Sequence, residues 1–96
     1  GTVNINWALY DEIRITMTGN ITFVFSGAVD GQACLVKLKQ DSVGNHDVVL
    51  DSATRLSADI TGYVTSAPAY SIDRLGFIYD AGDNKYDFIA LVHALA

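Results

Sequence analysis

The sequence predicts an all-β domain, an antiparallel β-sandwich or jelly-roll-like fold of about seven strands. Every second side chain is apolar over residues 13–18, 21–26 and 34–39, and residues rich in Gly, Asn and Asp separate these runs. A period of two places alternate side chains on the same face, which is typical of half-buried strands. No segment shows the spacing of an amphipathic helix, so the prediction excludes most enzyme folds.

The predicted strands span residues 3–8, 12–18, 21–26, 33–40, 46–51, 71–80 and 85–93, with a weaker extended stretch at 56–60. Turn residues lie between them at Gly19-Asn20, Asp30-Gly31, 41–45 and 81–84, and Gly and Asn accept the positive φ that tight hairpins require. Residues 61–70 contain the only proline, Pro68, and are predicted to cross between sheets. The predicted core consists of Ile15, Phe23, Phe25, Val36, Leu38, Phe77 and Phe88.

The last two predicted strands carry apolar residues on both faces. In one, Leu75, Phe77 and Tyr79 share a face and Ile78 lies opposite. In the other, even positions from Tyr86 to Val92 form one face, and Ile89 and Leu91 form the other. A strand that is apolar on both faces is covered on both. Either a loop or a second subunit must therefore cover the spare side, and we expect a second subunit, with Ile78, Ile89 and Leu91 as interface residues.

Composition limits the class of protein. The chain has 96 residues, enough for a single domain, residues 1–96, and only 18% of them are charged, which is low for a small monomer and favours self-association. The net charge of −5 and the scattered basic residues argue against nucleic acid as a partner. No apolar run is long enough to insert into a membrane, and no segment has the pattern of a signal peptide. Cys34 is expected to be a buried apolar residue.

No arrangement of residues predicts catalysis, a metal or a cofactor. Ser, His and Asp are present, but a catalytic triad is recognised by geometry and no G-x-S-x-G motif occurs. Four oxygen-bearing residues crowd one predicted hairpin, where they offer ligands for Ca²⁺: Asp80, Asp83, Asn84 and Asp87. Their spacing matches no EF-hand loop, and Asp and Asn are also common turn residues. We therefore expect no catalytic and no metal-binding residue.

Four aromatic residues are the candidates for binding a ligand: Trp7, Tyr10, Tyr63 and Tyr70. Exposed aromatic rings among short polar side chains suit the apolar faces of sugars. The same rings also suit a core or a contact between subunits, and this is the interpretation that we favour. A surface glycan is therefore an alternative partner.

Several short motifs recur in the order and spacing of a known protein family. They are Thr18-Gly19-Asn20, Gly31-Gln32, Lys39-Gln40-Asp41 with Gly44, Ala67-Pro68, and Ile72-Asp73 through Phe77, Tyr79 and Asp80. Together they resemble a β-sandwich module of tailed-bacteriophage virion proteins, found in tail fibres, tailspikes and related appendages. The resemblance covers about residues 5–92, and the chain departs from the pattern at 51–62.

The resemblance implies a non-catalytic structural role. It implies a tail-fibre or appendage domain, or a small capsid decoration protein, made in the bacterial cytoplasm and located in the virion. Three copies of the chain, together with other virion proteins, would then be its partners. The alternative function is a carbohydrate-binding module that recognises a host receptor.

Overall fold

Eight β-strands in two sheets form the protein in the computed structural model, which describes residues 1–95. No helix occurs in this range, so the all-β prediction is confirmed. The strands are β1 Thr2–Asn6, β2 Glu12–Met17, β3 Ile21–Ser26, β4 Ala33–Gln40, β5 Val48–Val49, β6 Thr54–Arg55, β7 Ile72–Asp80 and β8 Lys85–Leu95. A three-stranded sheet has the order β1-β3-β5, and a five-stranded sheet has the order β2-β4-β7-β8-β6.

The first six strands alternate between the two sheets, and this alternation makes most of the pairings parallel. The pairs β1–β3, β2–β4, β3–β5 and β6–β8 are parallel. Among the strands of residues 1–95, only β4–β7 and β7–β8 are antiparallel, so the expected antiparallel pairing holds for these two alone. Apolar alternation shows which face of a strand is buried. It does not show whether the next strand pairs beside it or lies across the core.

The predicted turns at Gly19-Asn20 and Asp30-Gly31 are therefore not hairpins. Each carries the chain from one sheet to the other, so that the apolar faces of consecutive strands meet across the core. Positive φ occurs at Gly31 but at neither Gly19 nor Asn20. The hairpin at 81–84 joins β7 to β8 as predicted, with Asn84 at positive φ.

The strand predicted at 46–51 shortens to two residues because a side chain replaces a ladder bond. The backbone N–H of Phe25 in β3 donates to Asp51 Oδ2 at 2.7 Å. Asp51 Oδ1 accepts a second bond from the N–H of Ala53, also at 2.7 Å. This carboxylate ends the pairing of β3 with β5 and turns the chain into β6. The extended stretch predicted at 56–60 lies in the connection after β6 and is not a strand.

Phe25 lies at the centre of the core, where the two sheets meet. Its ring is 5.5 Å from the rings of Trp7, Phe23 and Phe77, and 5.1 Å from that of Tyr86. Phe77 in turn stacks on Phe88 at 4.9 Å. Six of the seven predicted core residues are buried. Ile15 is half-buried because β2 is an edge strand.

A bulge in β8 corrects the predicted faces of that strand. Phe77 pairs with Phe88, but the next residue back along β7, Gly76, pairs with Ala90, so Ile89 is the extra residue. A bulge shifts the alternation by one position. Leu91 therefore joins Phe88 on the inner face and packs against the core, while Ile89 remains 56% exposed. The prediction that Ile89 and Leu91 share a spare face is wrong.

Phe25→Ala tests the central position of this ring. We expect the substitution to lower the free energy of unfolding by about 3–5 kcal/mol, because it leaves a cavity between the sheets. Urea unfolding followed by circular dichroism measures the change. A loss below about 1 kcal/mol would contradict the packing described above.

Candidate functional site

The rings of the four aromatic candidates do not meet in the fold. Trp7 is only 1% exposed and packs edge-on against Phe25, so its ring faces are covered. Tyr10 and Tyr70 are exposed in the connections before β2 and β7. Tyr63 is half-buried and stacks on His93. Within residues 1–95 no ring contact joins any two of the four, so they form no shared stacking platform.

The two histidines have no serine hydroxyl as a hydrogen-bond partner within the described residues. His46 Nε2 lies 3.0 Å from Asp41 Oδ1, in the connection between β4 and β5. His93 Nε2 lies 3.0 Å from the carbonyl oxygen of Val64. The first contact holds the connection between β4 and β5 together, and the second joins β8 to the connection between β6 and β7. Both contacts have a structural role.

The acidic hairpin between β7 and β8 surrounds an arginine. Arg55 of β6 donates from Nε to Asp87 Oδ1 at 2.5 Å and from Nη2 to Asp87 Oδ2 at 3.0 Å. It also donates to Asp83 at 2.6 Å and to Asp80 at 3.0 Å. These bonds raise the pKa of Arg55. The N–H of Asp83 and the Arg55 guanidinium lower the pKa of Asp80.

The arginine takes the position that a cation would need at this hairpin. In the described part of the chain, no group of three or more His, Cys, Asp or Glu side chains is placed to hold a metal ion. The sequence did not reveal this partner, because Arg55 lies 25 or more residues before the carboxylates it binds. Only the pairing of β6 with β8, which sets Arg55 opposite Asp87, brings them together.

Asp73 of β7 is a buried carboxylate, 1% exposed, that holds the long connection and the end of β8. It accepts bonds from the Tyr63 hydroxyl at 2.6 Å, the N–H of Ser66 at 2.9 Å and the N–H of Ala94 at 2.9 Å. Burial alone would raise the pKa of Asp73, but these donors hold it below its ordinary value. Burial, followed by the bond to Asp73, raises the pKa of Tyr63.

The outer face of the five-stranded sheet, the side away from the core, has an apolar centre. Leu35 of β4, Gly76 of β7 and Ala90 of β8 stand side by side in register. A Cβ added to Gly76 would lie 3.2 Å from Ala90 Cβ and 3.5 Å from Leu35 Cδ2, so the glycine forms a flat floor between them. Leu35 is 44% exposed. Ile78, one of the three predicted interface residues, lies on this face beside the centre and is half-buried.

A row of basic side chains crosses the same face next to the apolar centre. Arg14 pairs with Lys37, and Lys37 pairs with Arg74, so three strands place three cations in one line. Lys39 follows two residues further along β4. Glu12 lies 2.7 Å from Arg14 Nε and 3.6 Å from Arg74 Nη1. The sequence indicated scattered basic residues, and this is wrong, because four of the six stand close together in this part of the face.

Asp73→Asn tests the buried carboxylate. An amide presents one acceptor and one donor group to three donors, so we expect a loss of about 2–3 kcal/mol in the free energy of unfolding at pH 7. A carboxyl with a lowered folded pKa stabilises above its unfolded pKa of about 3.9 and loses that effect as pH falls through the folded value. The difference between wild type and variant should shrink below about pH 4 in urea titrations. A difference that does not change with pH would contradict the role of the charge.

Arg55→Leu and Arg55→Lys test the arginine. Leucine leaves three carboxylates close together, whereas lysine keeps the charge but cannot bind a carboxylate through two donors. We expect the melting temperature to fall in both variants, and further in Arg55→Leu. Millimolar Ca²⁺ should leave the melting temperature of the wild type unchanged. A rise of many degrees would mean that the hairpin binds the ion despite Arg55.

Comparisons of the chain with models of protein families, with curated proteins and with solved structures find no match. None of the residues described belongs to a helix long and apolar enough to cross a membrane. The function proposed below therefore draws on the surfaces of this fold and on the motifs of its sequence.

Proposed function

We propose that the chain is a non-catalytic structural module of a phage virion that assembles with copies of itself. The observation that carries the proposal is the uncovered apolar centre on the outer face of the five-stranded sheet. The motif resemblance over about residues 5–92 supports the virion context. A tail-fibre or appendage domain and a capsid decoration protein both fit, since each works by packing against other chains.

The other outer face of the protein gives a contrast that supports this choice of surface. The outward residues of β1, β3 and β5 are mostly polar and none is charged: Thr2, Asn4, Asn6, Thr22, Val24, Ser26 and Val49. A face of this kind is well solvated and gains little from being covered. Covering Leu35 and its apolar neighbours would contribute roughly 25 cal/mol for each Å² removed from water.

The resemblance favours three copies, but the number of copies is a separate question from self-assembly. A glycan-binding role loses its one tryptophan, because Trp7 is buried in the core. Tyr10, Tyr63 and Tyr70 are the remaining candidates for a sugar contact. No observation on this fold favours that role over assembly.

Sedimentation at micromolar to millimolar concentration tests self-assembly. We expect a mass that rises with concentration above the 10.3 kDa of one chain. Leu35→Glu should weaken association by at least about tenfold, because each copy would bury a charge at the contact. The matched control is Val24→Glu, which alters a residue of nearly equal exposure, 42%, on the other sheet. It should leave association unchanged.

A chain that remains monomeric throughout this range would contradict self-assembly, and glycan binding by such a monomer would favour the carbohydrate-binding alternative. The virion context has its own test. The reading frames that flank the gene are expected to encode other virion proteins, and a neighbourhood of metabolic genes would contradict that context.

A further inference from the structure

The outer face of the five-stranded sheet carries opposite charges at its two ends. The acidic end is the β7–β8 hairpin, where Asp80, Asp83 and Asp87 outnumber the two cations Arg55 and Lys85. The basic end is the row of Arg14, Lys37, Lys39 and Arg74, which outnumber the one carboxylate beside them, that of Glu12. Arg74 and Asp80 lie six residues apart on β7, or roughly 20 Å along the strand. The apolar centre of Leu35, Gly76 and Ala90 lies between the two ends.

We propose that this face pairs with the same face of a second copy about a two-fold axis. The axis lies between the five-stranded sheets of the two copies and passes over the apolar centre, so that the apolar centre of one copy packs on that of the other. The acidic end of each copy then meets the basic end of the other. Both copies therefore contribute their acidic end, apolar centre and basic end to the same contact. This inference rests on the self-assembly in the proposed function and names its interface.

The geometry of a flat face selects two copies over three. The acidic and basic ends belong to one sheet and point in nearly the same direction. The acidic end of one copy can meet the basic end of a second copy only if the second copy is rotated by about 180°, and this rotation gives a closed, isologous pair. A three-fold ring would need two patches that face directions about 60° apart. The two-fold pair replaces the three-copy expectation for the contact made by this face.

The charge of the whole chain favours a copy of itself over a polyanion as the partner of the basic row. The chain carries a net charge of −5, and the row holds four of its six basic residues. Away from this row the protein is strongly acidic and would repel a phosphate or sulfate polymer. The acidic hairpin of a second copy offers the complementary charge at short range.

The expected contact is small. Five strands spaced about 4.8 Å apart, each about seven residues long at about 3.3 Å per residue, cover roughly 550 Å² of projected area. This is below the roughly 800 Å² per partner of a standard interface, so we expect a dimer that dissociates in the micromolar range or above. Two twisted sheets can pack face to face in this way at about 30°.

Reversing one charge at each end tests the pairing. Lys37→Glu and Asp83→Lys should each weaken the dimer by at least about tenfold, because two-fold symmetry places each substitution in both contacts between an acidic and a basic end. The chain that carries both substitutions should regain an affinity within about threefold of wild type. An equimolar mixture of the two single variants should form one-to-one dimers, because each then supplies the charge that the other lacks. Asp47→Lys, at an exposed position outside this face, is the matched control for Asp83→Lys.

The outcomes separate this inference from the proposed function. Circular dichroism and melting confirm that each variant is folded. If Asp83→Lys is not folded, Asp83→Asn replaces it as the single variant that removes a charge from the acidic end. If the wild type associates but no charge reversal affects it, or if its mass is three chains, the two-fold pairing fails while self-assembly stands. If the double variant does not recover, the pairing of the two ends is overturned. If the wild type does not associate at all, both fail.

Discussion

The contact of Phe25 with Phe77 and Tyr86 is the interaction on which the rest of the structure depends. It joins the central strand of the three-stranded sheet to the middle of the five-stranded sheet. Because the first six strands alternate between sheets, none of these six forms a hairpin with the next, and the two sheets are held together across the core. The inner faces of both sheets are buried in this way, so the residues open to a partner lie on the outer faces and in the connections.

Two polar groups hold β8 in its place in the larger sheet. Arg55 binds the hairpin that begins β8, and Asp73 binds the backbone near its end at Ala94. Between them the bulge at Ile89 turns Leu91 into the core and leaves Ala90 beside Gly76. The apolar centre is therefore a consequence of how β8 is anchored at both ends.

The sequence predicted the faces of single strands well and their partners poorly. Alternation in residues 21–26 and 34–39 places Phe23, Phe25, Val36 and Leu38 in the core, and they are buried. The same pattern cannot distinguish a neighbour in a sheet from a strand across the core, so the turn at Gly19-Asn20 was predicted to be a hairpin. A bulge is also invisible to periodicity, which explains the misplaced face of Leu91.

The surface residues that matter most were missed for the same reason. Arg14, Lys37 and Arg74 are far apart in sequence, and only the parallel pairing of β2 with β4 and the antiparallel pairing of β4 with β7 align them. Arg55 reaches its three carboxylates only through the pairing of β6 with β8. These features depend on strand register, which a single sequence specifies weakly.

The central claim is that the middle of this outer face meets its own copy, and a cysteine at Ala90 tests it most directly. The native thiol of Cys34 is fully buried, and burial raises its pKa to about 11, so it does not compete under mild oxidation. Ala90→Cys should form a covalent dimer of twice the chain mass, because a residue near a two-fold axis lies close to the same residue of the second copy. Thr22→Cys, exposed on the other sheet, should remain a single chain under the same conditions. Equal cross-linking of the two variants, or none at Ala90→Cys, would contradict the account.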